Sequence, residues 1–393
     1  MISVKEAKDL IRSRLSSLES VRRPLLQAAG SVLAENIYAS IDIPAFEQSS
    51  MDGYAIRFAD KDQPLTVSGE MAAGAGYIKT LEPGTAIRIF TGAPVPDGAD
   101  TIAIQEKVVR EGDTIKINDV SLNQGFAVRA KGSEAKAGTL ALAKDTYLGP
   151  AAVAYLAGIG VADVPVYCMP SVAILVTGNE LQTPGVALEP GQVYESNSYS
   201  LTAALRETGI SHIHVLRIED KLDSLKYQLA SVLEWADLVL LTGGVSVGDY
   251  DFVPEAARHN GVEEVFHKVK QRPGKPLFFG MKDRIPVFGL PGNPSSVLSC
   301  FYNYVLPAVE MLSRKRNPVK SLRAKMANDY KKPAGLTQFL KANTSEGHVR
   351  ILGAQLSYQL SSFAEANCLA VLEEEREEYQ AGEEIEVLML PGF

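Results

Sequence analysis

Apolar and polar positions change their spacing several times along the chain, and each change predicts a different kind of structure. Ser3-Val4-Lys5-Glu6 forms a capping box, and Ala7, Ile11 and Leu15 follow at helical spacing, so the chain opens with a helix. From about residue 41 to 136 the apolar runs are short and alternating, as at 65–68, 86–90 and 114–117, with Gly, Pro and Asp between them. A period of two broken by frequent turns predicts a small β-rich domain. Longer apolar segments return at 139–162, as a strand and a helix leading back to a hub.

At Ser171 the pattern becomes continuous. SVAILVTG is an unbroken apolar run closed by Thr177-Gly178, as buried parallel strands are. The spacing then predicts a helix over 196–208 capped by Gly209, a strand at 212–217, a helix at 222–235 and a strand at 237–242. Strands at 276–280 and 285–290 and a helix from 293 to about 312 complete the series. Strands alternating with helices predict a doubly wound α/β domain. After Asn317-Pro318 the pattern is β-like to the end, reading as a small barrel or sandwich, with the acidic run 373–378 as a solvated turn. At 393 residues the chain is too long for one core, and roughly two to four domains are expected.

Composition narrows the function classes. The chain is 46% hydrophobic and 22% charged, as ordinary globular proteins are. A net charge of -8 argues against nucleic acid as the main partner, yet an acidic protein can still hold a basic pocket for a small anion. Cys168, Cys300 and Cys368 lie far apart without a CxxC, which suggests free thiols in a reducing compartment. The charged N-terminus lacks the apolar region of a signal peptide. The most apolar stretch, 148–162, contains Pro150 and is shorter than the ~20 residues that a membrane span requires. A cytoplasmic protein with no membrane partner is expected.

Ligands of open α/β sheets bind outside the carboxyl ends of the strands, and four motifs fall at such ends. Val176-Thr177-Gly178-Asn179-Glu180 places a hydroxyl and a carboxylate just past a strand. In TGGVSVGDYD (242–251), Gly243-Gly244 can turn backbone N–H groups toward an anion, while Asp249 and Asp251 follow within one short loop. A phosphate nest beside paired carboxylates suits Mg²⁺, which takes carboxylate and phosphate oxygens together. Arg272-Pro273-Gly274-Lys275-Pro276 holds two cations on a rigid turn, and Leu290-Pro291-Gly292-Asn293-Pro294-Ser295 feeds a helix N-terminus. Each motif alone has a plain reading as a turn, whereas four in one α/β segment point to a phosphorylated ligand. His212 and His214 share a strand face as metal ligands would, but no third ligand has suitable spacing, which favours a structural role.

Together these segments resemble the molybdopterin molybdenumtransferase family, which includes the E domain of gephyrin. The resemblance covers almost the whole chain. Its most specific pieces are SMDGYA (50–55), TGAPVPDGAD (91–100), VTGNE (176–180), GGVSVGDYD (243–251), PGKP (273–276) and LPGNP (290–294), in the family's order. It implies an elongated multi-domain chain of class α/β plus β-rich regions. Residues 1–40 and 137–170 would form the hub, 41–136 the β-rich domain, 171–316 the doubly wound molybdopterin-binding domain and 317–393 a C-terminal β-barrel. It further implies a homodimer with a shared active site, and the molybdopterin adenylyltransferase as a partner.

The reaction the resemblance implies takes adenylylated molybdopterin and molybdate, cleaves the phosphoanhydride, releases AMP and leaves molybdenum on the dithiolene. Matched by position, Asp52, Glu180, Asp249 and Asp251 fall on family carboxylates and are expected to bind Mg²⁺, with Asp52, Glu180 and Asp251 forming the catalytic set. Like charges ~4 Å apart repel by ~4 kcal/mol at an effective dielectric of ~20, so such a cluster favours a bound cation. Asp52 is expected to reach the other subunit's cleft. Thr177, Gly243, Gly244, Ser246 and Lys275 fall on nucleotide and phosphate segments, while Arg272, Lys275, Ser296 and Ser357 are candidates for holding molybdate.

The chain departs from the family pattern at Glu47-Gln48-Ser49-Ser50, at Gly132-Ser133-Glu134 and at Cys368. Lys341 stands where an arginine is common and so lacks a bidentate grip on an oxyanion. Two other readings remain open: a paralogue that handles tungstate, and a non-catalytic dimeric scaffold like the gephyrin E domain.

Overall fold

The computed structural model describes residues 1–244, 252–315 and 320–391. They fall into two compact units, one of residues 1–21, 30–32 and 166–393, the other of residues 22–29 and 33–165.

In the first unit the opening helix forms at Val4–Arg14. Ser3 Oγ accepts from Glu6 N (3.2 Å) and the Glu6 carboxylate accepts from Ser3 N (2.8 Å), so the capping box closes in both directions. Its buried face, Ala7 and Ile11, joins the main core.

That core is built on a six-stranded sheet, in spatial order Ile213–Ile218, Val172–Thr177, Leu238–Thr242, Ile285–Leu290, Phe278–Lys282 and Glu263–His267. The first four strands are parallel. Every residue of Val172–Thr177 and of Leu238–Thr242 is buried, which explains their unbroken apolar runs. Val172, Ile174 and Val176 pack into one cluster with Leu201, Leu205, Val297 and Leu312. Ala173 and Leu175 face the other way, onto Leu225, Leu229, Val253 and Ala256. Helices therefore cover both faces, as the alternation of strands and helices predicts.

The sequence reading differs from the fold in several places, among them the helix Phe252–His259, which it did not include. The strand expected at 276–280 runs over Phe278–Lys282, displaced by the Pro273–Pro276 turn, and pairs antiparallel with Ile285–Leu290 as a hairpin. The edge strand Glu263–His267 was not anticipated, because its apolar residues are few. The helix expected from 293 to 312 comprises Pro294–Cys300, a π-helical turn Phe301–Val305 and Leu306–Ser313. Pro307 has no N–H to return to the carbonyl of Asn303, and the ladder widens there.

The same unit ends in a closed barrel. Thr337–Ser345 pairs with His348–Ile351 on one side and with Cys368–Leu372 on the other. Ser321–Met326 and Glu384–Met389 complete the circuit. The barrel form of the two alternatives is the one adopted. The short strand Gln271–Arg272 adds to it in parallel, Gln271 opposite Thr337, and so ties the cationic turn to the barrel. In the acidic run Glu374 is not free in solvent, since it accepts from Lys270 at 2.7 Å.

The second unit is β-rich, with a six-stranded sheet in the order Thr101–Ile104, Gly53–Ile56, Thr85–Ile89, Leu65–Met71, Thr114–Ile117 and Val108–Glu111. It also carries the strand Leu140–Leu142 and the helix Pro150–Gly158 expected from 139–162. Among the described residues no helix is long and apolar enough to cross a membrane.

Candidate functional site

Chain order against sheet order locates the site. The chain passes from Val172–Thr177 to a strand on one side and then to Leu238–Thr242 on the other, so these two strands flank the point where winding reverses. Ligands of such sheets bind there, outside the carboxyl ends. Thr177 Oγ1 donates to Thr242 O (3.4 Å), and Gly243 N donates to Leu290 O (3.3 Å). Three of the sequence motifs are thereby joined at one sheet edge. Gly243 is required at this crossing: its φ is +87°, and a Cβ would stand 2.8 Å from Thr177 O.

Beside that edge lies a cleft of about 1010 Å³ between the α/β sheet and the barrel. Of the residues singled out from sequence, Glu180, Arg272, Lys275, Ser296 and Ser357 line it. Thr177, Gly243 and Gly244 sit at the strand ends and are not among its lining residues. Ser246, Asp249 and Asp251 lie outside the described residues. Asp52 belongs to the second unit.

Arg272 and Lys275 are exposed, and among the described residues neither forms an ion pair. Both stand on a turn braced from beneath by buried polar groups. The Tyr304 hydroxyl donates to Gln271 Oε1, and Gln271 Nε2 donates to Gly274 O (2.9 Å) and to Cys300 Sγ (3.5 Å). Gly274 has φ +88°, and a Cβ would meet Cys300 Sγ at 2.5 Å, so this turn too admits only glycine. On the facing wall Ser357 O accepts from Ser295 N (3.0 Å) and Ser357 Oγ accepts from Asn293 Nδ2 (2.9 Å). Asn197, also at the cleft, donates from Nδ2 to Gly292 O (2.8 Å) and fixes the Pro-Gly-Asn-Pro turn.

Acidic groups collect at the other end. Asp220 lies two residues past the strand Ile213–Ile218, and its carboxyl is held above the usual aspartate range, first by burial and then by the charge of Glu180. Sequence reasoning missed Asp220, although the strand-end rule that selected Glu180 applies to it equally. Among the described residues no group of three or more His, Cys, Asp or Glu side chains is placed to hold a metal. His214 packs edge-on against Trp235 with ring centroids 5.0 Å apart, a structural use of that side chain.

In the second unit, Asp52 accepts hydrogen bonds from Thr91 N and Thr91 Oγ1, both at 2.8 Å. These bonds, the backbone one foremost, keep its pKa below the ordinary aspartate value, so the carboxylate stays ionised. Thr91 opens the TGAPVPDGAD segment, and its tie to Asp52 was not foreseen from sequence.

Lys341 corrects an expectation. It does not line the cleft: only 2% of it is exposed, and its ammonium donates to the carbonyls of Ala354 and Gln359. The change from arginine therefore bears on the interior of the barrel, not directly on an oxyanion.

Comparison with known proteins adds a separate line. Residues 2–160 match the family model for the MoeA N-terminal region (domain I and II). Residues 173–311 match that for a probable molybdopterin binding domain, and 323–390 that for the MoeA C-terminal region (domain IV). The chain is 34% identical over 421 residues to a molybdopterin molybdenumtransferase of Nostoc sp., covering 100% of this chain and 94% of that one. It is 34% identical over 376 residues to the molybdopterin molybdenumtransferase of Haemophilus influenzae, covering 92% of each. Its fold is similar to the crystal structure of the molybdopterin biosynthesis MoeA protein from Pyrococcus horikoshii, with TM-score 0.86, 29% identity and 100% of both chains covered.

Proposed function

The chain belongs to the molybdopterin molybdenumtransferase family, and on that premise we propose that the cleft lined by Arg272, Lys275, Ser296 and Ser357 is where molybdate meets adenylylated molybdopterin. The activity is the insertion of molybdenum in molybdenum cofactor biosynthesis. The observation that carries this placement is the convergence of two cations, neither in an ion pair among the described residues, and two hydroxyls on one cleft beside the switch point of the sheet.

Each residue has a physical task. A unit charge ~4 Å from Arg272 or Lys275 gains ~4 kcal/mol at an effective dielectric of ~20, before desolvation. Two such cations suffice to hold a doubly charged tetrahedral oxyanion beside a phosphorylated substrate. Ser296 and Ser357 add hydroxyls that orient it. Thr177 and Gly243, whose own donors go to Thr242 O and Leu290 O, fix the strand ends from which Gly244 and, by the family pattern, Ser246 offer donors to the substrate phosphates.

The donor set at the acidic end fits Mg²⁺, since Glu180 and Asp220 are hard oxygen donors near enough for one charge to oppose ionisation of the other. With Asp249 and Asp251 from the family pattern, they would hold the ion. Bound there, Mg²⁺ would neutralise charge on the phosphoanhydride oxygens. In the same proposal the protein is a cytoplasmic homodimer, and Asp52 of one protomer completes the cleft of its partner. An ionised Asp52, kept so by Thr91, suits a role beside a metal or a water. The adenylyltransferase that makes the substrate is the natural donor to the cleft. The division into regions 1–40 with 137–170, 41–136, 171–316 and 317–393 belongs to this reading and is supported by the separate sheets.

The test is direct. Purified protein is given adenylylated molybdopterin, molybdate and Mg²⁺, and AMP release is followed. Release is expected with the wild type, and Lys275→Ala should lower kcat/KM about 100-fold, the usual scale for losing a charged contact. No release above background from folded wild-type protein would overturn the proposal.

A further inference from the structure

The barrel buries a lysine, a charged side chain in an interior position. Lys341 lies on the strand Thr337–Ser345 and is only 2% exposed. Among the described residues it meets no carboxylate; its ammonium donates to Ala354 O and to Gln359 O, the latter at 2.9 Å. Burying an ammonium without a counter-ion costs several kcal/mol even after relaxation (on the order of 3–5). A methionine would pack the same volume without that cost, so the charge calls for a reason.

The two carbonyls supply it. They bracket Gln355, Leu356, Ser357 and Tyr358, and all four of these residues line the cleft. Lys341 itself does not. Ala354 takes φ +48°, a left-handed conformation that a non-glycine residue adopts only when its surroundings hold it there. Its carbonyl is held twice, by Lys341 Nζ and by Ser362 Oγ (2.9 Å). Gln355 adds a second tie to the same residue. It accepts from Lys341 N (3.1 Å) and donates to Lys341 O (2.8 Å). The far side of the segment is fixed at Ser357 by Ser295 N and Asn293 Nδ2. One lysine thus anchors both ends of a cleft wall from behind.

We propose that Lys341 is a positioning residue for the oxyanion: its buried ammonium sets the segment 354–359 so that Ser357 is presented to the cleft. The identity of the anion as molybdate rests on the functional reading above; the anchoring does not. An ammonium suits this task because it donates in several directions at once, with strong charge-assisted bonds.

The experiment compares wild type with Lys341→Met in two measurements. Hydrogen exchange of the unliganded protein should be about tenfold faster at 352–360 in the variant, with exchange in the strand Val172–Thr177 unchanged. The KM for molybdate in AMP release should rise about tenfold while kcat changes less than about threefold. Unchanged exchange with a raised KM would make Lys341 a direct ligand and overturn the proposal. Faster exchange with an unchanged KM would reduce it to a structural residue and overturn it equally. Should Lys341→Met not fold, Ser362→Ala loosens the same carbonyl, and both effects are expected at about threefold; absence of both there overturns the proposal. Wild-type AMP release separates the two readings. If it is absent the functional reading fails, while exchange and calorimetric molybdate binding still decide the role of Lys341.

Discussion

Two walls of one cleft are held in place by opposite means. The turn that carries Arg272 and Lys275 rests on neutral groups: Tyr304 donates to Gln271, and Gln271 donates to Gly274 O and Cys300 Sγ. The facing segment, 354–359, hangs from the buried charge of Lys341. The exposed cations thus stand on an uncharged footing, while the wall presenting a serine hydroxyl has the charge hidden behind it. Carbonyl oxygens surround the hidden ammonium, while Arg272 and Lys275 stand open on the cleft, whose lining also carries Lys268 and Glu180. Neutral networks tolerate changes of pH and salt but not of shape; a charge-anchored wall fails when the charge is removed, even at constant shape.

The largest expected effect is on shape. Gly274→Ala would force a Cβ to 2.5 Å from Cys300 Sγ and 2.9 Å from Gln271 Nε2, at a φ of +88°. Left-handed strain and overpacking together should cost about 2–4 kcal/mol, read by denaturant unfolding. Because Lys275 follows directly, kcat/KM should fall as well, by about 100-fold. A variant as stable and active as the wild type would show that the turn is not rigidly footed, and the contrast between the walls would collapse. Tyr304→Phe should come next. It keeps the shape but strips the buried Gln271 Oε1 of its donor, at about 1–3 kcal/mol. If the neutral wall works through geometry, activity should then fall less than with Gly274→Ala.

Much of this molecule could be read in one dimension, for a stated reason. The strands Val172–Thr177 and Leu238–Thr242 are buried on both faces, so their apolar runs are unbroken and their ends are marked by Thr-Gly. Turn motifs at those ends carry local chemistry that survives in sequence. What was missed depends on contacts between distant residues. Asp220 acquires its raised pKa first from burial and then from the charge of Glu180, which the fold brings near it. Thr91 reaches Asp52 across 39 residues of chain. Lys341 was read as a weakened anion ligand because a lysine on a strand gives no sign of which side it faces. Its role came from the chain returning behind it at Ala354 and Gln359. The expected Mg²⁺ ligands Asp249 and Asp251 lie outside the described residues.

The smallest effect tests the neutrality of the footing itself. Burial pushes the Cys300 thiol up to about 12, with the Gln271 hydrogen bond pulling slightly the other way, so Cys300 stays protonated in the folded protein far above neutral pH. In the unfolded chain the thiol ionises at its ordinary value. A folded pKa raised above the unfolded one means that the folded state keeps its proton while the unfolded state loses it. Stability is therefore complete below the unfolded pKa, near 9, and declines as pH rises from there toward 12. Serine does not titrate in this window. Cys300→Ser should cost about 1 kcal/mol at pH ~8, and that difference should shrink by about 1 kcal/mol by pH ~10, as the wild type alone declines through this group. Denaturant unfolding of both proteins at the two pH values gives the comparison. A gap that stays constant would mean that the thiol is not shielded and that water reaches beneath the Gly274 turn. A widening gap would mean that a thiolate is stabilised there, and the wall carrying Lys275 would then have a charged footing too.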